Sequence, residues 1–240
     1  MAAAEPTPAL VPTQVRFQGF PAGGFDFLLE LQAHQSREWF KSSKERYQEL
    51  WVRPLEALLE DMAARLVGDF PEVLAGRRHV FRIQRDTRFS ADKSPYKTNV
   101  AAHIQVRPSL GAEWAVPGFY VHFGLENNFI GGGSWDVGKE LLPRFRAAIA
   151  DERQGGELAA IVSQLTPRGI ELASHERLKR VPAPYPQDHP RAELLKLKGL
   201  SAGTQDVPEE LMGQPAFVDW LFEQLHHISP LIHWLEAAVN

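Results

Sequence analysis

The chain contains no cysteine, which excludes disulfide scaffolds, thiolate nucleophiles, iron–sulfur centres and Cys-ligated zinc. It has no apolar run approaching the roughly 18 residues that a transmembrane helix needs, so no membrane partner is expected. The opening stretch MAAAEPTPALVPTQ lacks a basic n-region and does not read as a signal peptide. The expected setting is cytoplasmic. An excess of positive charge is also missing. The formal net charge is −4, from 26 basic and 30 acidic residues, which argues against a general nucleic-acid coat protein. Short metal motifs are absent too: none of the nine histidines falls in an HExxH or paired-His arrangement. There is no Walker A loop, no GxGxxG and no GxSxG elbow, and Ser90, Ser94 and Ser134 have no locatable base.

What remains is the composition of a globular protein: 240 residues, 44% hydrophobic, 10% aromatic and 23% charged. A chain of this length buries roughly 70% of its unfolded surface and needs neither disulfides nor a metal to fold. Residues 1–19 are rich in Ala and Pro without periodicity and read as a disordered lead-in. Residues 20–240 read as one domain, because no linker separates foldable halves.

Helical spacing appears first at Phe25, Leu28, Leu29 and Gln32 or Ala33. A longer helical run occupies residues 36–66. Ser42 and Glu45 are placed to form a capping box there, and Pro54 should kink or divide the run. Alternation then replaces helical periodicity. Residues 79–86 put Phe81, Ile83 and Arg85 on one side, residues 99–107 do the same with Val100, Ala102, Ile104 and Val106, and residues 119–126 with Phe119, Val121 and Phe123. The connections between these strands are not helical, so an antiparallel sheet is expected. Residues 131–136, GGGSWD, read as a glycine-rich turn into a helix over 137–153. Further helices are expected at 156–165, 191–200, 215–228 and 230–239, with a short strand near 169–173. The fold class is therefore α+β, a central antiparallel sheet flanked by N-terminal and C-terminal helices.

One segment stands apart electrostatically. From Arg77 to Lys97, seven basic residues face two acidic ones in an otherwise acidic chain, and such a concentration attracts anions. Arg82, Arg85 and Arg88 offer bidentate donors for a carboxylate or phosphate, Lys93 and Lys97 add point charges, and Tyr96 can stack or donate. Asp86 is a proton-transfer candidate. Alternatively, Arg85–Asp86 and Asp92–Lys93 are internal ion pairs that pin a hairpin, with Phe89 and Tyr96 as apolar anchors. His122 and His103 fall mid-strand on the polar side, where His122 is placed to act as a general base. Tyr120 shares that side. Lys179 and Arg180, before a proline-rich bend, can bring a second basic group toward the site or belong to a wrapping segment. The glycines before Ser134 and Asp136 can form an anion-binding nest or a plain turn. Trp135 can be a core or lid aromatic, or a stacking platform. Asp86, Glu126 and Asp136 do not converge in the linear sequence, so no metal site is assigned.

A resemblance rests on longer motifs. Arg37-Glu38-Trp39-Phe40, Lys44, Tyr47 and Pro54 precede Arg85-Asp86-Thr87-Arg88-Phe89-Ser90 and Asp92-Lys93-Ser94-Pro95-Tyr96-Lys97-Thr98-Asn99. Glycines 131 to 133 with Trp135, Leu178-Lys179-Arg180-Val181-Pro182 and Asp188-His189-Pro190 continue the match. The chain resembles the DUF2461 family of bacterial and fungal proteins over about residues 20–225. That family carries no secure activity, so the resemblance implies no catalytic role. The chain departs from its pattern at Val181 to Tyr185, where Val-Pro-Ala-Pro-Tyr replaces a glycine-containing turn.

Three functions fit these residues. The first is a binding or catalytic domain for a phosphorylated or otherwise anionic small molecule. The second is a nucleic-acid-associated protein using the same basic surface, which the overall acidity ranks lower. The third is a non-catalytic interaction module whose charged loop is structural. The sequence assigns no cofactor and no oligomeric state.

Overall fold

A computed structural model describes residues 16–88, 91–108 and 116–239. Residues 1–15 of the expected lead-in lie outside the described residues, as do Phe89 and Ser90 of the charged loop. Helix α1 (Gly24–Ala33) leads to α2 (Arg37–Tyr47) and α3 (Arg53–Leu66). Strands β1 (Asn99–Gln105), β2 (Gly118–Gly124) and β3 (Asn128–Ser134) follow. Then come α4 (Gly138–Ala150), α5 (Glu152–Leu165), β4 (Glu171–Ala173), α6 (Ala192–Leu195), β5 (Leu200–Thr204), α7 (Glu209–Met212) and α8 (Phe217–Val239). Among the described residues the five strands form one sheet in the order β1-β2-β3-β5-β4, every pair antiparallel. The α+β class and the flanking helices match expectation.

Helix α2 starts earlier than the proposed capping box. Ser36 is its N-cap, with Oγ accepting from the Trp39 N–H at 3.2 Å, which satisfies one of the orphan donors of the first turn. Ser42 lies inside the helix, and its hydroxyl donates to the Trp39 carbonyl at 2.8 Å. The break expected at Pro54 appears as a π-helical turn over Gln48–Val52. The widened turn lies directly before Pro54, which has no N–H to continue the regular i→i−4 ladder. The two helices expected at the C-terminus are one, because α8 runs through Pro230. The Ser229 hydroxyl donates to the Leu225 carbonyl at 3.1 Å in that turn, and apolar burial on both sides of the proline keeps the helix intact.

One face of the sheet is the core. Val100, Ala102, Ile104, Phe119, Val121, Phe123 and Ile130 are each at most 1% exposed, and α3 and α8 pack against that face. Each fully buried Val, Ile or Phe side chain of this kind contributes roughly 1.5–3 kcal/mol. Phe17, Phe20, Trp51, Phe123 and Phe217 extend the same core toward the start of the chain, with ring centroids 5.1–6.4 Å apart for the contacting pairs. Asp61, only 4% exposed, accepts from the backbone N–H of Arg16 and Phe17 at 2.9 and 2.8 Å, so a buried carboxylate fixes that entering segment.

Three expected elements differ. Residues 79–86 form no strand of the sheet, and His79 closes a 3-10 turn over Arg77–His79. They make isolated bridges, Val80 to Ala102 and Gln84 to Tyr96, because their partner changes from the β1 edge to the returning arm of the charged loop. Residues 131–133 are the middle of β3, not a turn. Residues 191–200 are helical only over Ala192–Leu195, and Leu200 already begins β5.

The reason for the glycines of β3 is steric. A Cβ on Gly132 would come within 2.7 Å of the Phe119 ring and 3.0 Å of Ile228 of α8, so that position lets the helix approach the sheet. On the other side, Gly133 has φ +140 and presses on the backbone of Leu200 and Ser201.

Candidate functional site

The register places the second face of the sheet in view. His103 is paired with Tyr120, Tyr120 with Gly131, and Gly131 with Gly203. One row along, His122 is paired with Ala101 and Phe129. Because side chains alternate along a strand, His103, Gln105, Tyr120, His122 and Phe129 share this face. All five are half-buried.

A pocket of about 800 Å³ lies over this face, lined by residues that include His103, Gln105, Tyr120, Phe129, Trp135 and His175. The ring of Phe129 lies over backbone that carries no side chains. A Cβ on Gly131 would meet its Cζ at 2.8 Å, and one on Gly203 would meet the same atom at 2.4 Å. The glycines therefore make the floor on which that ring rests. Trp135, 52% exposed, stands at the rim with its ring 6.5 Å from His175. His175 Nδ1 lies 3.2 Å from the Trp135 carbonyl, and Asp136 Oδ1 accepts from the Gly138 N–H at 2.9 Å.

The pocket is continuous with a polar cluster. The Tyr120 hydroxyl is 3.1 Å from Nδ1 of His122, and Asn99 Nδ2 is 2.9 Å from the same nitrogen. Burial lowers the His122 pKa; Glu126 opposes this and Lys97 adds to it. Burial likewise raises the Tyr120 pKa. Both shifts favour the uncharged forms of the two groups, and an uncharged imidazole can accept a proton. His122 itself does not line the pocket; it is joined to it through Tyr120.

The charged loop is a hairpin beside this cluster, with Arg85 N–H donating to Pro95 O and Lys97 N–H to Ile83 O, each at 2.9 Å. Its cations fall into two groups. Arg88 holds Asp86 through Nη2 at 2.7 Å and Nε at 3.0 Å, which keeps the Asp86 carboxyl well below the usual range and commits both its oxygens. Arg85 pairs with Asp92 at 3.2 Å, and Lys93 donates to the Thr87 carbonyl at 2.8 Å. Tyr96 is 5% exposed and stacks on Phe40 at 4.4 Å, so it anchors the hairpin to α2 from within the core.

Arg82 and Lys97 behave differently. Neither is in an ion pair among the described residues. Arg82 is exposed and Lys97 half-buried. The Lys97 pKa is lowered by burial and by the neighbouring charges of Arg82 and Arg85, an environment that an incoming anion would relieve.

Lys179 and Arg180 do not join this group. They are exposed and follow Leu178, whose N–H bonds to the Lys196 carbonyl on the β4–β5 side of the sheet. The hairpin lies on the β1 side, where Phe81 N–H donates to Ala101 O at 2.9 Å. Among the described residues no group of three or more His, Asp or Glu is placed to hold a metal ion. No helix there is long and apolar enough to cross a membrane.

Alternation in the sequence put His103, Tyr120 and His122 on this face, as the register does, and it singled out neither Phe129, Gln105 nor His175, which line the pocket. The signal for Phe129 was available in NFIGGGS, where Ile130 and Gly132 alternate with Phe129, Gly131 and Gly133, but glycine carries no hydropathy to mark the faces.

The family model described as Conserved hypothetical protein (DUF2461) matches residues 24–234. No curated protein and no solved structure matches the chain.

Proposed function

The chain belongs to the DUF2461 family, and within it we propose a binding or catalytic domain for a small anionic molecule held across the open face of the sheet. In this reading Arg82 and Lys97 receive the anion, and the pocket over Tyr120 and Phe129 receives the rest of the ligand. His122, hydrogen-bonded to Tyr120 and close to Lys97, is the proton acceptor if a reaction takes place.

The observation that carries the reading is the division among the loop cations. Arg85 and Arg88 are matched by Asp92 and Asp86, whereas Arg82 and Lys97 form no ion pair among the described residues. Arg82 is near enough to Asp86 to help lower its pKa, Lys97 acts in the same direction on His122, and Tyr120, bonded to His122, lines a pocket of about 800 Å³. Pockets of ~300–1,000 Å³ suit small organic ligands. The internal pairing also weakens the case for a broad basic stripe of the kind that nucleic acid requires.

A thermal-denaturation screen tests this with inorganic phosphate, sugar phosphates, nucleotides and a short oligonucleotide. A ligand that binds only the folded state raises its stability. The expected result is a rise with a small phosphorylated compound that is lost in Lys97→Ala and Arg82→Ala. If the oligonucleotide alone acts, with a steep salt dependence, the small-molecule reading falls in favour of nucleic acid. If no compound acts on the wild type, the anion reading falls altogether.

A further inference from the structure

We infer that the pocket on the open sheet face is a ring-binding subsite for a planar nitrogen heteroaromatic group, which makes the ligand a nucleotide-like heteroaryl phosphate. The anionic end of that ligand rests on the function proposed above. The ring subsite stands on separate observations.

The first observation is the aromatic content, among the described residues, of the sheet face opposite the core. Tyr120, Phe129 and Trp135 all line one pocket, whereas the aromatic side chains of the core face are sealed beneath helices. Trp135 remains 52% exposed at the rim, an arrangement that leaves a large apolar ring in water unless something lies against it. Flat π-faces at a site of this kind stack on other flat rings.

The second is the flatness of the floor. Gly131 and Gly203 lie beneath the Phe129 ring, and in the next row Gly118 pairs with Gly133 and Gly133 with Ser201, so between Gln105 and the small Ser201 side chain no side chain obstructs a planar group. Any Cβ at Gly203 would strike Phe129, and the ring of Phe129 is thereby kept low across the sheet.

The third is the polar edge. Gln105 lines the pocket, and its side-chain amide has no hydrogen-bond partner among the described residues. An amide offers a donor and an acceptor side by side, the pattern that matches adjacent groups on the edge of a nucleobase. Its other polar neighbours are already engaged: the Ser201 hydroxyl donates to the Ala173 carbonyl at 3.1 Å, and Asp136 is held by Gly138. A purely aliphatic ligand would leave the Gln105 amide buried and unsatisfied.

The geometry also fixes polarity. The ring end lies toward Trp135 and Gln105, and the Tyr120–His122 hydrogen bond leads from the pocket toward Lys97. The phosphate therefore points to the hairpin and the ring to the far side of Tyr120.

Equilibrium binding to the full chain tests this with four probes: inorganic phosphate, ribose 5-phosphate, the common nucleosides, and their 5′-monophosphates. At least one monophosphate should bind on the order of ten-fold tighter than ribose 5-phosphate, the size of one base–aromatic stack. Trp135→Ala, at an exposed rim position, should remove that advantage and leave ribose 5-phosphate binding unchanged. Gln105→Leu should change the preference among bases, with folding of both variants checked by circular dichroism. If monophosphates and ribose 5-phosphate bind equally, or if Trp135→Ala changes neither, the ring subsite is overturned and the anion reading stands. If nucleosides bind while both phosphates without a base do not, and Lys97→Ala has no effect, the ring subsite stands and the anion reading falls. Absence of binding by every probe overturns both.

Discussion

The ring of Phe129 lies so close over Gly203 that a Cβ at Gly203 would come within 2.4 Å of its Cζ. The two residues belong to neighbouring strands of the sheet, β3 and β5, and their contact sets the depth of the pocket. The glycines of this region therefore serve shape, since they hold an aromatic ring down on the sheet and leave the space above it open.

Gly203→Ala tests that relationship. The added methyl would meet the Phe129 ring and also the Ile130 carbonyl, at 2.5 Å. Overpacking of this kind costs about 1–3 kcal/mol, measurable by chemical denaturation, and it should distort the pocket as well. Gly156→Ala is the contrast. That glycine lies in α5, is exposed and has nothing within 4 Å of a built Cβ, so helix propensity predicts a gain of about 0.5–1 kcal/mol. Equal effects at the two sites would refute the steric account.

The pH dependence of stability should carry a contribution from His122. Its pKa is lowered in the fold, by burial first, with Lys97 acting in the same direction and Glu126 against. A histidine with a folded pKa below its unfolded value binds more protons when unfolded, so its contribution falls as pH drops through about 6.5. Denaturation midpoints should be lower at pH 5.5 than at pH 7.5, and the difference should shrink in His122→Gln. His227 is lowered as well, again chiefly by burial, so part of the dependence should survive. An unchanged pH dependence in the variant would remove His122 from this role.

The start of α2 gives a third prediction. Ser36→Ala removes the side-chain acceptor of the Trp39 N–H and should cost about 1 kcal/mol. Ser42→Ala removes only an exposed hydroxyl bonded to the preceding turn and should stay within about 0.5 kcal/mol of the wild type. The reverse order would restore the capping box at Ser42 and Glu45.

The strands at β1 and β2 were legible because Val100, Ala102 and Ile104, and then Phe119, Val121 and Phe123, alternate with polar residues. Strand β3 was not, because three of its seven residues are glycines and read as a turn until a neighbouring ring and helix explain them. Strand β5, LSAGT, is short and built of small residues, so its pairing rather than its composition makes it a strand. The converse error occurred at residues 79–86, where alternation is clear but only isolated bridges form. Alternation reports two unlike surroundings, and it does not specify that both come from one continuous sheet.

The sequence by itself determined the family, the α+β class, the charged hairpin and the polar side of two strands, since each is written in composition or local period. It also identified His122 and Lys97 as residues of interest. Only the tertiary structure decided which cations of the hairpin form ion pairs, because Arg88 and Arg82 look alike in a sequence and both lie near Asp86, yet only Arg88 holds it at 2.7 Å. The pocket likewise exists only in three dimensions: Gln105, Phe129 and Gly203 are distant along the chain, and sheet register makes their strands neighbours.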